Sequence, residues 1–169
     1  MKILYLTDTH IRGTTPKNRK DNIVETLEKK INEIVELAEQ YKVDYILHGG
    51  DLFDRPDISI SIVSKFASIL NKVTVPFYII CGNHDIYGHN PDTINRTMLG
   101  LLGALNIVHI IKDDEKIFLK KDDVTVQLTG QSYIYNLDDK SNLKKYIVSE
   151  KDKQANYSIH MVHGMLLDK

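Results

Sequence analysis

Short apolar runs rich in β-branched and aromatic residues alternate with helical repeats along the first hundred residues. Residues 2–7, 43–48 and 75–81 are such runs, each ending in polar residues, and they predict buried strands. Between them, Ile23, Val24, Leu27, Ile31, Ile34, Val35, Ala38 and Tyr41 follow the three-and-four spacing of an amphipathic helix over residues 21–41, with Asp21 at its start. Ile58, Ile62, Phe66, Ile69 and Leu70 give a second helix over 58–72 with Asp57 as its cap, and Ile94, Met98, Leu101 and Leu102 a third over 92–102. Strand–helix–strand–helix–strand predicts parallel βαβ units with right-handed crossovers. In the second half, residues 107–111, 116–119 and 124–128 read as short strands, the last two joined as a hairpin through 120–123. A weaker helix over 141–152 and a strand over 157–162 follow, and this half is expected to be antiparallel.

The polar residues at the strand exits carry the chemistry. The first run passes into Asp8-Thr9-His10, the second into Gly49-Gly50-Asp51, the third into Gly82-Asn83-His84-Asp85. In an open α/β sheet this carboxyl edge is where ligands sit. Alternation along the chain puts Asp8 and His10 on one face, able to grip one ion. Carboxylate, imidazole and amide donors together suit Mn, Fe or Zn better than an all-oxygen calcium site or a thiolate site. His163 ends the last strand before Gly164 and joins the candidate ligands. His160 points to the opposite face and reads as packing or surface, and His48, one residue short of its glycine turn, as a structural histidine.

Composition narrows the picture. The 169 residues suit one domain with a proper core, and 27% charged with 42% hydrophobic residues is ordinary for a globular chain. A formal net charge of -1 gives no overall pull toward nucleic acid or membrane, so any such affinity is local. The loop after His10 carries Arg12, Lys17, Arg19 and Lys20, and Arg55 follows Asp51; these are the candidate contacts to a phosphate backbone. Cys81 is the single cysteine, read as a buried thiol, which fits a reducing cytoplasm. No apolar run approaches a membrane span.

Asp8-x-His10, Gly49-Gly50-Asp51, Gly82-Asn83-His84-Asp85 and a strand ending in His163, in that order, resemble the calcineurin-like metallophosphoesterases over essentially the whole chain. The stretch Leu47-His48-Gly49-Gly50-Asp51-Leu52-Phe53-Asp54 and the spacer lengths are most similar to the SbcD-type nuclease subunits of DNA double-strand-break repair complexes, phage versions included. The resemblance implies an α/β fold in which a β-sandwich is flanked by helices in αββα layers, with residues 1–169 as the catalytic domain. It implies two divalent ions, Mn first and Fe, Zn or Mg as alternatives, bridged by Asp51. Asp8 and His10 would complete the first site, Asn83 and His163 the second. His84 would be the acid or transition-state stabiliser, with Asp85 orienting it as a supporting carboxylate. The implied activity is a DNA exonuclease or endonuclease working with an SMC-like coiled-coil ATPase in the cytoplasm. A small-molecule phosphoesterase and a non-catalytic binding scaffold are the competing expectations. One departure stands out: no Gly-x-His-x-His-like pair follows His163. The chain is therefore expected to lack the family's C-terminal strands and one ligand for each ion, and to pair with itself through the sheet face thus exposed.

Overall fold

A computed structural model describes residues 1–136 and 139–164. The end of the chain, where the sequence offers no second histidine pair, lies outside the described residues. Strands β1 (Ile3–Leu6), β2 (Tyr45–His48), β3 (Phe77–Ile79) and β4 (His109–Ile110) form a four-stranded sheet in that order. Every neighbouring pair in it is parallel. Because spatial order follows chain order, each right-handed crossover returns on the same face. Helices α1 (Ile23–Gln40), α2 (Ile60–Leu70) and α3 (Met98–Ala104) accordingly bury one shared face.

The pleat sorts the strand side chains. Leu4, Leu6, Ile46 and Ile79 meet Ile31 and Val35 of α1, Phe66 of α2 and Leu99 and Leu102 of α3. Ile3, Leu47 and Ile80 point the other way, onto Leu119, Val126, Leu128 and Met161 of a second sheet. Phe66 is wholly enclosed between α1, α2 and the sheet. Phe66→Ala is expected to lower the unfolding free energy by about 3–5 kcal/mol, read from urea denaturation.

The second sheet has the order β5 (Ile117–Lys121), β6 (Val124–Gln131), β7 (Tyr157–Val162). The β5–β6 hairpin is antiparallel as expected, but β7 runs parallel to β6. The 25-residue connection between them exceeds the dozen or so residues a parallel crossover needs, so the antiparallel expectation fails there, as it does for β4, which joins the first sheet parallel to β3. That connection holds two 3₁₀ turns, Leu143–Tyr146 and Glu150–Asp152, in place of the expected helix over 141–152. The β-branched pair Ile147-Val148 followed by Ser149 weakens helix between them. The connection covers the outer face of the second sheet: the Lys145 carbonyl meets His160 Nε2 at 2.7 Å, and the Gln154 N–H donates to Gln127 Oε1 at 2.8 Å. His160, whose Nδ1 lies 2.8 Å from Thr129 Oγ1, is thus a packing residue. The layers are helices, parallel sheet and second sheet, with these turns outside it.

Helix starts differ from expectation where a better cap stands nearby. Asn22 caps α1, its Oδ1 accepting the Val24 N–H, while Asp21 is engaged by Arg19 and Thr26. Ser59, not Asp57, precedes α2. The helix expected over 92–102 is split into a 3₁₀ stretch, Pro91–Arg96, and α3, because Thr97 turns extended and its Oγ1 accepts the Gly100 N–H.

Candidate metal centre

The parallel sheet brings the three strand exits to one edge, and backbone bonds then lock them together. Asp8 N–H donates to Gly50 O (3.1 Å), His10 N–H to Asp51 O (3.0 Å) and Ile11 N–H to Leu52 O (2.9 Å), continuing the β1–β2 pairing past the strands into a bridge between Ile11 and Phe53. Asp8, His10 and Asp51 all have left-handed backbones, with φ of 54°, 43° and 55°. Such conformations cost about 1–3 kcal/mol each for a residue with a side chain, and they persist only where the surroundings impose them. The turns aim three candidate ligands at one point. A Cβ on Gly82 would collide with the Asp51 carboxylate and backbone, so glycine is required for the third exit to approach the second.

Asp85 has a different part from the one expected of it. Its carboxylate is fully buried and accepts the N–H groups of Asp51 (2.8 Å), Phe53 (3.1 Å) and Gly82 (3.0 Å). It ties the second and third exits and does not orient His84. His84 Nδ1 instead lies 2.8 Å from the carbonyl oxygen of Asp54. A carboxylate withdrawn from water needs donors on every side, and the turning backbone next to it supplies them. Burial pushes the Asp85 carboxyl up to about 6, opposed by those same N–H bonds.

The donor atoms converge in two overlapping sets around Asp51, which is 3% exposed. His10 Nε2 lies 3.7 Å from Asp8 Oδ1 and 3.6 Å from Asp51 Oδ2. His163 Nε2 lies 3.4 Å from the same Asp51 oxygen and 3.2 Å from Asn83 Oδ1. His10, Asp51 and His84 offer ligand atoms within 4.8 Å of one another, as do Asp8, Asp51 and His163. A tetrahedral ion with bonds of about 2.1 Å separates its donors by about 3.4 Å, so the spacing and the nitrogen–oxygen donor set fit a first-row divalent ion. His163 Nδ1–H donates to the Gly49 carbonyl (2.8 Å), which fixes the ring and leaves Nε2 for an ion. Burial acts to lower the His163 pKa, yet the Asp51 carboxylate and the Gly49 carbonyl raise it to about 9. Burial likewise acts to raise the Asp51 carboxyl, and bonds from His163 and the His84 N–H outweigh it, holding the group below its ordinary value.

The residues proposed for phosphate contact are largely engaged with carboxylates. Arg12 pairs with Asp54, Arg19 with Asp21 (2.8 Å) and Arg55 with Asp57 (3.8 Å), while Lys17 and Lys20 are exposed. Asp54 is a site residue that sequence reading missed. Its carboxylate holds Arg12 and stands 3.9 Å from His10 Nδ1, and its carbonyl holds His84. A contact made through a main-chain carbonyl leaves no trace in residue type.

His48 is structural, as its position predicts. It is fully buried, its Nδ1 accepts the Gly50 N–H (3.1 Å), and its Nε2–H therefore points to Thr9 Oγ1 (3.2 Å), which donates to the Leu52 carbonyl. Burial holds its pKa down at about 3. The unfolded chain takes up this proton near pH 6.5 and the folded chain does not, so His48 supports stability above that pH and the support is lost as pH falls toward 3. In EDTA, wild type is expected to lose about 1.4 kcal/mol per pH unit more than His48→Gln between pH 6 and 4, read from urea melts. Asp85 contributes the opposite slope in both proteins and cancels in that difference. Cys81 is buried too, its thiol pushed up to about 12 by burial and then by the nearby Asp85 charge.

The calcineurin-like phosphoesterase family matches residues 1–167, and the chain belongs to that family. Among its relatives is an uncharacterized metallophosphoesterase of Helicobacter pylori, 36% identical over 119 residues, which are 63% of this chain and 28% of the relative. DNA double-strand break repair proteins Mre11 are similar as well. That of Methanococcus maripaludis is 30% identical over 91 residues (51% of this chain, 23% of the relative). That of Sulfolobus acidocaldarius is 25% identical over 168 residues (96% and 41%). The chain thus spans well under half the length of these relatives. Family membership implies a metal-dependent hydrolase. No helix among the described residues is long and apolar enough to cross a membrane.

Proposed function

We propose that the chain is the catalytic domain of a dinuclear phosphodiesterase acting on DNA, the nuclease subunit of a repair or recombination complex with an SMC-like coiled-coil ATPase. The observation that carries this reading is the sharing of Asp51 Oδ2 between His10 Nε2 and His163 Nε2 at 3.6 and 3.4 Å, which makes one carboxylate oxygen common to two donor sets. Asp8, His10 and Asp51 would hold one ion, and Asp51, Asn83 and His163 the other. When bound, a pair of divalent ions, Mn first, supplies Lewis-acid polarisation of the phosphoryl oxygens and a nucleophile available at neutral pH.

The chain's own residues supply the rest. His84 is exposed at the mouth of the site, and in its imidazolium form, with Nδ1–H held on the Asp54 carbonyl, Nε2–H would give its proton to the departing oxygen and leave the neutral ring. Its ring meets that of His10 edge-on at 4.8 Å, which keeps it beside the donor sets. Similarity to the Mre11 proteins supports DNA as substrate. The Helicobacter relative favours no substrate and supports a small-molecule phosphoesterase equally.

Calorimetric titration with Mn, followed by assay on single-stranded DNA and on a small aryl phosphodiester, tests the proposal. Two ions per chain and cleavage of DNA are expected. Cleavage of the small diester alone would replace the nuclease with a metabolite phosphoesterase; two bound ions with neither activity would leave a binding scaffold.

A further inference from the structure

Beside the metal centre stand three aromatic rings that the hydrolytic chemistry does not use. Tyr133 lies edge-on to the His163 ring, centroids 6.4 Å apart; His89 lies 5.4 Å from Tyr133, and Tyr135 lies 6.5 Å from His89. The row runs from a half-buried ring touching a candidate ligand to Tyr135, which is 69% exposed. We infer that Tyr133, His89 and Tyr135 form a stacking ledge for the bases of a single-stranded DNA end whose phosphate is at the metal centre. This rests on the nuclease reading and names the form of DNA it takes.

The ledge is built, not incidental. Tyr133 N–H donates to Cys81 O at 2.8 Å, and Cys81 N–H donates to Ser132 Oγ at 3.0 Å, so the chain bearing the rings is tied to the strand end that turns into Gly82 and Asn83. Ledge and ligands therefore share one anchor and keep a fixed spacing. His89 is presented from a tight turn, with Gly88 and His89 both left-handed at φ of 56° and 57°; the Asn90 N–H closes the turn on Tyr87 O. A strained residue on an exposed turn contributes nothing to the core. Single exposed aromatics are ordinary, but three in contact, with the innermost against a ligand, form a surface one nucleotide's reach from a bound phosphate.

The occupant follows from the chemistry of the surface. Base stacking on aromatic rings is indifferent to sequence, since every base has a π-face, and it requires bases out of the duplex. The arginines of the neighbouring loops are paired with carboxylates, so the backbone is gripped less by charge than in a basic groove. Stacking supplies the affinity that those arginines do not.

The test compares a short oligothymidylate with the same sugar–phosphate chain lacking bases, in Mn. KM and kcat are measured for cleavage, and Kd by fluorescence anisotropy with phosphorothioate-linked strands. The base-bearing strand is expected to show KM and Kd lower by about tenfold or more. Tyr135→Leu and Tyr133→Leu should each shrink that ratio severalfold, while Tyr133→Phe, which keeps the ring, should preserve it. Tyr135→Leu alters only an exposed side chain and decides the matter even where Tyr133→Leu fails to fold. A wild-type ratio near one overturns the ledge, as does a ratio that survives both leucine variants. Absence of cleavage on either strand counts against the nuclease reading alone, because the phosphorothioate binding ratio still reads the ledge.

Discussion

Asp51→Asn is expected to remove both ions together, weakening each site by more than about 100-fold in a Mn titration. Loss of an outer-shell partner alone costs 10–100-fold, and here the shared anionic donor itself becomes neutral. Asn adopts the left-handed backbone that position 51 requires, so the fold should persist and its melting temperature can serve as the control. Two further readouts make the result specific. His163→Gln should weaken the site containing Asn83 more than the other, since His163 Nε2 lies 3.2 Å from Asn83 Oδ1 and reaches Asp8 only at the wider spacing of the donor group. In metal-free Asp51→Asn, the His163 pKa should fall from about 9 toward its ordinary value, visible by NMR titration, because the carboxylate that raised it is gone. Two ions bound to Asp51→Asn with wild-type affinity would end the bridging assignment.

His84→Gln should separate binding from turnover. A glutamine amide can still donate to the Asp54 carbonyl but has no proton to give, so kcat should drop by about 10²–10⁴-fold with Mn affinity changed only a few-fold. The outcome is informative because His84 also stands within ligand distance of His10 and Asp51. If His84→Gln loses an ion along with its activity, the imidazole is a ligand and the general acid must be sought elsewhere.

These expectations rest on strand exits that could be read from the chain itself. Apolar runs ending in Asp-x-His, Gly-Gly-Asp and Gly-Asn-His-Asp announce both the strands and the edge they share, because parallel pairing forces carboxyl ends to one side. The long amphipathic repeat made α1 equally plain. What could not be read is whatever depends on a backbone group as partner. Asp85 is expected beside His84, yet the backbone N–H groups of Asp51, Leu52, Phe53 and Gly82 claim it. Asp54 acts through its carbonyl and through a salt bridge to Arg12, which turns a candidate phosphate contact into a local ion pair. The direction of β7 was hidden for another reason. A strand's apolar pattern is the same in either orientation, and only the length of the preceding connection bears on it.

The left-handed turns at Asp8, His10 and Asp51 are held by bonds to neighbouring backbone and, through Asp85, to the third exit. The bonds of that scaffolding all run between groups of the chain itself. The entropy of gathering three loops is therefore incurred once, during folding, and loading a metal becomes a matter of dehydration and charge, not of ordering the chain. A cradle of this kind presents the same nitrogen and oxygen donors to Mn, Fe or Zn, so the supply of metals, more than the protein, would decide the occupant.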